Sequence, residues 1–296
     1  MKRDFLELSD FSVAEHAALF RRARELKEAR RRGEVASTLA GRTLLLLFEK
    51  HSTRTRLSFE AAMGQLGGTA ITLPMQDSQI SRGESLADTG AVASRYVDAI
   101  MYRTFGDDRL RELARAATVP VINGLSDGGH PVQLLADLFT VEERLGSLGG
   151  KVVAWVGDGA SNMALSWIEA ARLFGFTLRI SAPEGFRPAR SAGSELVADP
   201  REAVRGADVV TTDVWISMGQ EKEAAARRKA FAGYCVDQAL LSRAKPSAIV
   251  LHCLPAHRGE EISAGVIDGP QSAVLDEAEN RMHVQKALLE ALILRR

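Results

Sequence analysis

The chain has 296 residues, 46% hydrophobic and 26% charged, enough apolar material for one large or two medium globular domains. Lys and Arg number 38 and Asp and Glu 38, so no general field attracts nucleic acid or an acidic membrane, and an anion site must be local. Cys235 and Cys253 are the two cysteines, too few for a disulfide framework and not spaced as CxxC, which fits a reducing compartment. The first residues carry Asp4, Glu7 and Asp10 among apolar ones, so no secretory core forms, and no run is long enough to cross a membrane. A cytoplasmic location is expected.

Ser12 with Glu15 has the form of a capping box, and Ala17, Leu19, Phe20, Ala23 and Leu26 follow at helical spacing, predicting a helix that ends near Gly33. The run 42–49 (RTLLLLFE) reads as a buried strand, 52–67 as a helix capped by Ser52, and 69–74 as a strand. A helix near 84–95, a strand at 98–103, a helix at 107–117, a short strand at 119–123 and a helix from Pro131 to about Leu145 continue the alternation.

Residues 147–150 (SLGG) break the pattern, and a second series begins with a strand at 151–157. A helix at 162–174, strands at 176–181, 207–213 and 248–253, intervening helices and a final helix from about Glu277 to Ile293 follow. The expectation is α/β, with two open, mostly parallel-sheet domains covered by helices on both faces. One spans 1–146, joined by the C-terminal helix at about 277–296, and the other 147–276. The active site is expected in the cleft between them, at the carboxyl ends of the strands.

In the first series, strand 42–49 leads through Lys50 and His51 into Ser52-Thr53-Arg54-Thr55-Arg56 at a helix start. Hydroxyls and guanidiniums gather there beside free backbone N–H groups and the positive helix pole, which makes a phosphate pocket without a glycine-rich loop. An N-cap with solvated arginines is the blander reading. It accounts for Ser52 but not for the repeated Thr-Arg pair. Arg103 closes a later strand of the same sheet, and His130 and Gln133 stand at the start of the helix that Pro131 opens, so these side chains can converge on one sheet edge.

The sequence STRTR followed by HPVQ resembles the carbamoyl-phosphate signature of the aspartate and ornithine carbamoyltransferase family, and the likeness runs along nearly the whole chain. The resemblance implies that Ser52, Thr53, Arg54 and Thr55 bind phosphate. It also implies that Arg103, His130 and Thr55 contact the carbonyl oxygen and Gln133 the carbamoyl NH2, and that Gln79 reaches into a neighbouring subunit's site in a homotrimer.

In the second series, Asp213 follows a strand and opens the loop DVWISMG. A carboxylate at a strand end, then Ser217 and a glycine in a mobile loop, suits recognition of an amino group. The loop resembles the ornithine-binding loop of the family's ornithine branch, which implies that Asp213, Ser217 and Met218 hold the acceptor amino acid. Asn162 matches the residue that contacts its carboxylate, and Leu125 lines the same pocket. His252-Cys253-Leu254-Pro255 resembles the family's HCLP motif, placing Cys253 beside the reacting amine and a Leu254 carbonyl on the carbamoyl NH2. Arg281 resembles the last carbamoyl-phosphate contact. The implied activity is carbamoyl transfer from carbamoyl phosphate to L-ornithine, giving citrulline, with Arg103, His130 and Cys253 as the catalytic set and no cofactor or metal. The chain departs from the family pattern at Gly128-Gly129, where bulkier residues are usual, and at Leu165-Ser166, where an Asn-Ser pair is usual.

Other readings compete. The run VVAWVGDGASN is a strand followed by GxGxxN, near a dinucleotide fingerprint of an NAD-dependent oxidoreductase. Its third glycine is missing, and the next strand ends without an acidic residue for a ribose. A metal site of His252, Cys253 and His257 lacks a recognisable spacing for a fourth ligand. A catalytically silent amino-acid-binding relative would not need all four motifs.

Overall fold

The alternation of strands and helices read along the chain forms two parallel sheets in the computed structural model, which describes residues 2–189, 191–217 and 219–294. The chain divides into two units, Met1–Ala136 with Glu279–Arg296, and Asp137–Ala278. No helix among the described residues is long and apolar enough to cross a membrane.

The first unit opens with α1 (Val13–Arg31), whose Ser12 and Glu15 form the expected box: Glu15 N–H donates to Ser12 Oγ at 3.3 Å and Ser12 N–H to Glu15 Oε2 at 2.9 Å. Then follow β1 (Thr43–Phe48), α2 (Thr53–Gln65), β2 (Thr69–Pro74), α3 (Leu86–Ala93), β3 (Ala99–Arg103), α4 (Asp107–Ala116), β4 (Val121–Leu125) and α5 (Pro131–Leu145). The strand order is β2-β1-β3-β4, all parallel. β1 is the apolar run TLLLLF, buried from its second residue on, as a parallel strand covered on both faces must be. On one face of the sheet Leu45, Leu47, Ile100, Tyr102 and Val121 pack against Leu110 and Leu113 of α4.

One boundary moved. The strand expected at 119–123 runs from Val121 to Leu125, because Pro120 has no N–H to give and pairing with β3 starts at Ile100↔Val121. A register shift between Tyr102 and Arg103 carries it through Gly124, where a Cβ would stand 2.1 Å from Met101 Sδ. A larger residue at 124 would have to push the Met101 side chain aside.

The second unit contains β5 (Val152–Val156), α6 (Asn162–Phe174), β6 (Thr177–Ser181), the two-residue β7 (Glu195–Leu196), α7 (Pro200–Val204) and β8 (Val209–Thr212). It goes on through α8 (Ala224–Ala230), α9 (Gln238–Leu241), β9 (Ile249–His252) and α10 (Ala264–Ile267), with sheet order β7-β6-β5-β8-β9, again parallel. Val156 of β5, Val210 of β8 and Val250 of β9 are fully buried in one apolar cluster with Val236 and Ile262. The last helix, α11 (Val274–Ile293), starts three residues before the expected Glu277. Within the first unit it is tied to α1 by Arg22 Nε donating to Glu290 Oε2 at 2.7 Å and by Lys27 Nζ donating to Asn280 Oδ1 at 2.7 Å.

Strand order places the functional ends. In each sheet the chain builds outward from one strand, β1 or β5, then returns to that strand's other side with β3 or β8. The loops after β1 and β3, and after β5 and β8, therefore diverge and leave a crevice at each switch point.

Candidate active site

In the first unit, β1 is followed by Glu49, which fixes the chain before it turns. Its carboxylate accepts from Thr104 Oγ1 at 2.6 Å, from Arg109 Nε at 3.0 Å and from Tyr102 Oη. Burial pushes the Glu49 carboxyl up, but the hydrogen bonds from Arg109, Thr104 and Tyr102 outweigh it and hold the pKa below the ordinary value. The next residues enter α2 with Ser52 as N-cap, its Oγ accepting from Thr55 N–H at 3.3 Å. Thr53, Arg54 and Thr55 thus occupy the first turn, at the positive pole of the helix. Thr55 is buried, and its Oγ1 accepts from Arg281 Nη2 at 2.7 Å.

Arg103 ends β3 in register with Leu125, the last residue of β4. The loop after β4 turns through Ser126 N–H to Gly129 O at 2.9 Å and delivers His130 to the start of α5, where its carbonyl accepts from Gln133 N–H at 3.0 Å. His130 is buried, and its pKa is driven well below the ordinary value, first by burial and then by the charges of Arg281, Arg103 and Arg54. The charges of three arginines, from α11, β3 and α2, thus bear on one imidazole and keep it neutral. Gln133 is fully buried one turn further on. At the Gly128 departure a Cβ would meet Asp107 Oδ2 at 2.3 Å, so a larger residue there would have to displace that carboxylate, whose Oδ1 accepts Gly128 N–H at 3.2 Å. Gln79 lies in a 3-10 turn, Gln79–Arg82, with an exposed side chain. A cleft of about 420 Å³ borders the anion turn and includes His51, Ser52, Thr53, Arg56 and Gln76.

In the second unit the ends of the three adjacent strands β5, β8 and β9 supply the residues. β5 leads to Asp158, and Ser161 caps α6 by accepting Ala164 N–H at 3.2 Å, leaving Asn162 half-buried at the first helical position. This strand, turn and helix have the outline of a nucleotide fold, but β6 ends in Ser181 rather than in an acidic residue. At Leu165-Ser166 the serine is buried and donates its Oγ–H back to Asn162 O at 2.8 Å, and Leu165 is half-buried. β8 delivers Asp213, which is 9% exposed; its Oδ1 accepts Val214 N–H at 2.8 Å and the Cys253 thiol at 3.2 Å. Burial raises the Asp213 pKa, and no Lys or Arg among the described residues pairs with it. Burial and the Asp213 and Glu277 carboxylates push the Cys253 thiol well up, so it stays protonated and holds Asp213.

β9 delivers His252, buried, whose Nδ1 accepts Leu254 N–H at 2.9 Å. The ring proton therefore sits on Nε2, facing Glu261 Oε1 at 3.2 Å, while His252 N–H donates to Glu277 Oε2 at 2.8 Å. Leu254 has φ 59°, left-handed for a bulky residue, and the His252 bond helps hold it there. The rival metal trio does not form. Asp213, His252 and Cys253 cluster, and His257 stands with Glu260 and Glu261 instead.

The loop after Asp213 is anchored by residues that the motif reading left out. Arg227 Nη1 donates to Asp158 Oδ2 at 2.8 Å and to Trp215 O at 2.9 Å, with both charged side chains 8% exposed. Trp215 also stacks on Phe231, ring centroids 5.6 Å apart. Ser217 N–H donates to Gln220 Oε1 at 3.0 Å, and Met218 lies outside the described residues. Sequence offers no signal for this ion pair, because Asp158 and Arg227 are 69 residues apart.

Comparison with known proteins gives matches over the full length. Residues 3–143 match the family described as aspartate/ornithine carbamoyltransferase, carbamoyl-P binding domain, and residues 149–292 match its Asp/Orn binding domain. An ornithine carbamoyltransferase of Halorhodospira halophila is 55% identical over 99% of this chain and 99% of its own. Among solved structures, the ornithine carbamoyltransferase of Pyrococcus furiosus superposes with TM-score 0.94 at 47% identity, covering 100% of this chain and 98% of that one. That of Burkholderia thailandensis superposes with TM-score 0.91 at 49% identity, covering 99% of each.

Proposed function

The chain belongs to the aspartate/ornithine carbamoyltransferase family, and from that membership we propose that it transfers the carbamoyl group of carbamoyl phosphate to the δ-amine of L-ornithine, giving L-citrulline and phosphate. The observation that carries the choice of acceptor is Asp213, a desolvated carboxylate with no Lys or Arg partner among the described residues. Such a group favours a cationic ligand. An acidic acceptor would need basic groups at this loop, yet Arg227 is already engaged by Asp158, Glu223 and the Trp215 carbonyl.

In this reading Asp213 takes the α-ammonium group of ornithine, with Ser217 and Met218 closing over it. Asn162 takes the α-carboxylate and Leu125 lines the aliphatic stem. Ser52, Thr53, Arg54 and Thr55 hold the phosphate with the N-terminus of α2, and Arg281 supports it through Thr55. The neutral amine attacks the carbamoyl carbon, the N–C bond forms, a tetrahedral oxyanion develops, and the C–O bond to phosphate breaks. Arg103, His130 and Thr55 donate to that oxyanion, each such donor being worth on the order of 10²–10³ in turnover. His130 acts as a neutral donor, since burial and then three arginines oppose its protonation. Gln133 and the Leu254 carbonyl orient the carbamoyl NH2. The amine's proton passes to the departing phosphate, because the Cys253 thiolate is disfavoured beside Asp213 and Glu277. Cys253 instead keeps Asp213 aimed.

Gln79 completes the site of a neighbouring subunit in a cytoplasmic homotrimer. Its exposure supports this, as do Leu57 and Ile71, large apolar residues 59% and 49% exposed. Light scattering tests the assembly. The activity is tested by a colorimetric citrulline assay with ornithine, aspartate and putrescine as acceptors. Product with ornithine alone is expected; equal turnover of putrescine would remove Asp213 and Asn162 from the acceptor site.

A further inference from the structure

The turn after β9 carries a cluster that the transfer chemistry leaves unused. His257, Glu260 and Glu261 each place one donor atom, an imidazole nitrogen or a carboxylate oxygen, within 4.8 Å of the others. Glu261 is fully buried, and its two oxygens differ. Oε1 accepts His257 N–H at 2.6 Å and faces His252 Nε2 at 3.2 Å. Oε2 is shut away from solvent and meets no hydrogen-bond partner among the described residues; His257 Nδ1 lies 4.0 Å from it. A buried carboxylate oxygen with no donor has lost its hydration without exchange, which makes it a strong ligand for a cation.

We propose that His257, Glu260 and Glu261 form a site for a divalent transition-metal cation, held by His257 Nδ1, Glu261 Oε2 and a Glu260 carboxylate oxygen, with water completing the shell. One imidazole and two carboxylates suit Zn²⁺, Co²⁺ or Mn²⁺ better than Ca²⁺ or Mg²⁺, which prefer oxygen alone. Two donors each about 2.1 Å from a tetrahedral ion stand roughly 3.4 Å apart, so the gap between His257 Nδ1 and Glu261 Oε2 has to close only a little. The His257 side chain is 51% exposed and free to turn by that amount. Two cationic side chains temper the affinity: Arg228 Nε holds Glu260 Oε1 at 3.0 Å, and Arg258 in the same turn is engaged by Asp268 at 2.7 Å.

The site is linked to the HCLP turn. A cation on Oε2 holds the Glu261 side chain in place with its Oε1 directed at His252, whose Nδ1 fixes the Leu254 N–H. Occupancy therefore steadies the backbone that presents Cys253 and Leu254, without taking part in any step of the transfer.

Titration of the untagged protein with Co²⁺, followed by visible absorption and by metal analysis after dialysis, tests the site. One Co²⁺ per chain is expected, with d–d bands and no sulfur-to-cobalt charge-transfer band, in wild type and in Cys253→Ser alike. His257→Ala and Glu260→Gln should each weaken binding by at least roughly tenfold, as much as lost outer-sphere partners do elsewhere. Both residues lie toward the surface, and circular dichroism melting checks that the variants fold. Unchanged affinity in both variants, or no binding in the millimolar range, overturns the proposal. Loss of binding in Cys253→Ser overturns it too, and assigns the ion to Asp213, His252 and Cys253.

Discussion

Arg281 donates Nη2–H to Thr55 Oγ1 at 2.7 Å, joining residues 226 positions apart, and after burial the same guanidinium opposes protonation of His130 most strongly. One side chain thus serves both the anion turn and the imidazole. Arg281→Met keeps the volume and removes the charge. Inorganic phosphate affinity should fall by about 1.5–3 kcal/mol, or one to two powers of ten, by calorimetry. The His130 ring titration, followed by NMR, should move back toward its ordinary range. A shift in neither quantity would separate Arg281 from the site.

Asp213→Asn should raise the ornithine KM by one to two powers of ten, from about 1.5–3 kcal/mol of lost charge-assisted binding, and leave phosphate affinity nearly unchanged. Stability should move the other way. The folded pKa of Asp213 is raised, so its ionised form destabilises the fold at pH values above the folded pKa, and that penalty is absent below the unfolded pKa of about 3.9. The variant should therefore melt higher than wild type at neutral pH, with the gap narrowing in acid. Equal melting at every pH would mean the carboxylate is not strained by burial.

His130 contributes the reverse slope. Its folded pKa is depressed, so the unfolded chain takes up a proton near pH 6.5 while the folded chain does not. Stability is full above that value and declines as pH falls through it toward the folded pKa. Urea midpoints of His130→Gln should fall less steeply than those of wild type between about pH 6.5 and 5. Parallel curves would remove His130 as a source of acid sensitivity.

Arg227→Ala strands Asp158, buried and charged, at a cost of about 3–5 kcal/mol, more than most single changes. Trp215 loses its carbonyl anchor in the same change. A double substitution, Asp158→Asn with Arg227→Met, should recover much of the stability but not the ornithine KM, if the pair also positions the loop. Full recovery of both would reduce the pair to a structural role.

What could be read from the residues divides along physical lines. Strands such as β1 and helices such as α1 announce themselves by period and caps, and these were legible to within a few positions. Ser52, Arg103 and His130 were legible as a group because each sits at the carboxyl end of a strand of one parallel sheet. β4 was misplaced because pairing with β3, a tertiary fact, decides where an apolar run begins to be a strand. Asp158 with Arg227, and Glu261 with His252, were not legible: local sequence shows the charge of each residue but not which of many opposite charges it will meet once water is gone.

The N-cap of α2 has a further consequence. Ser52 Oγ accepts Thr55 N–H at 3.3 Å, beyond the usual range of about 2.7–3.2 Å. A bound anion competes for that same amide, so whatever free energy the cap adds to the unliganded helix is subtracted from the affinity for the anion. A tighter cap would give a sturdier helix and a weaker phosphate site. The long bond leaves the amide available, and once it is surrendered the hydroxyl can reverse its role, turning from acceptor of a backbone hydrogen into donor of its own.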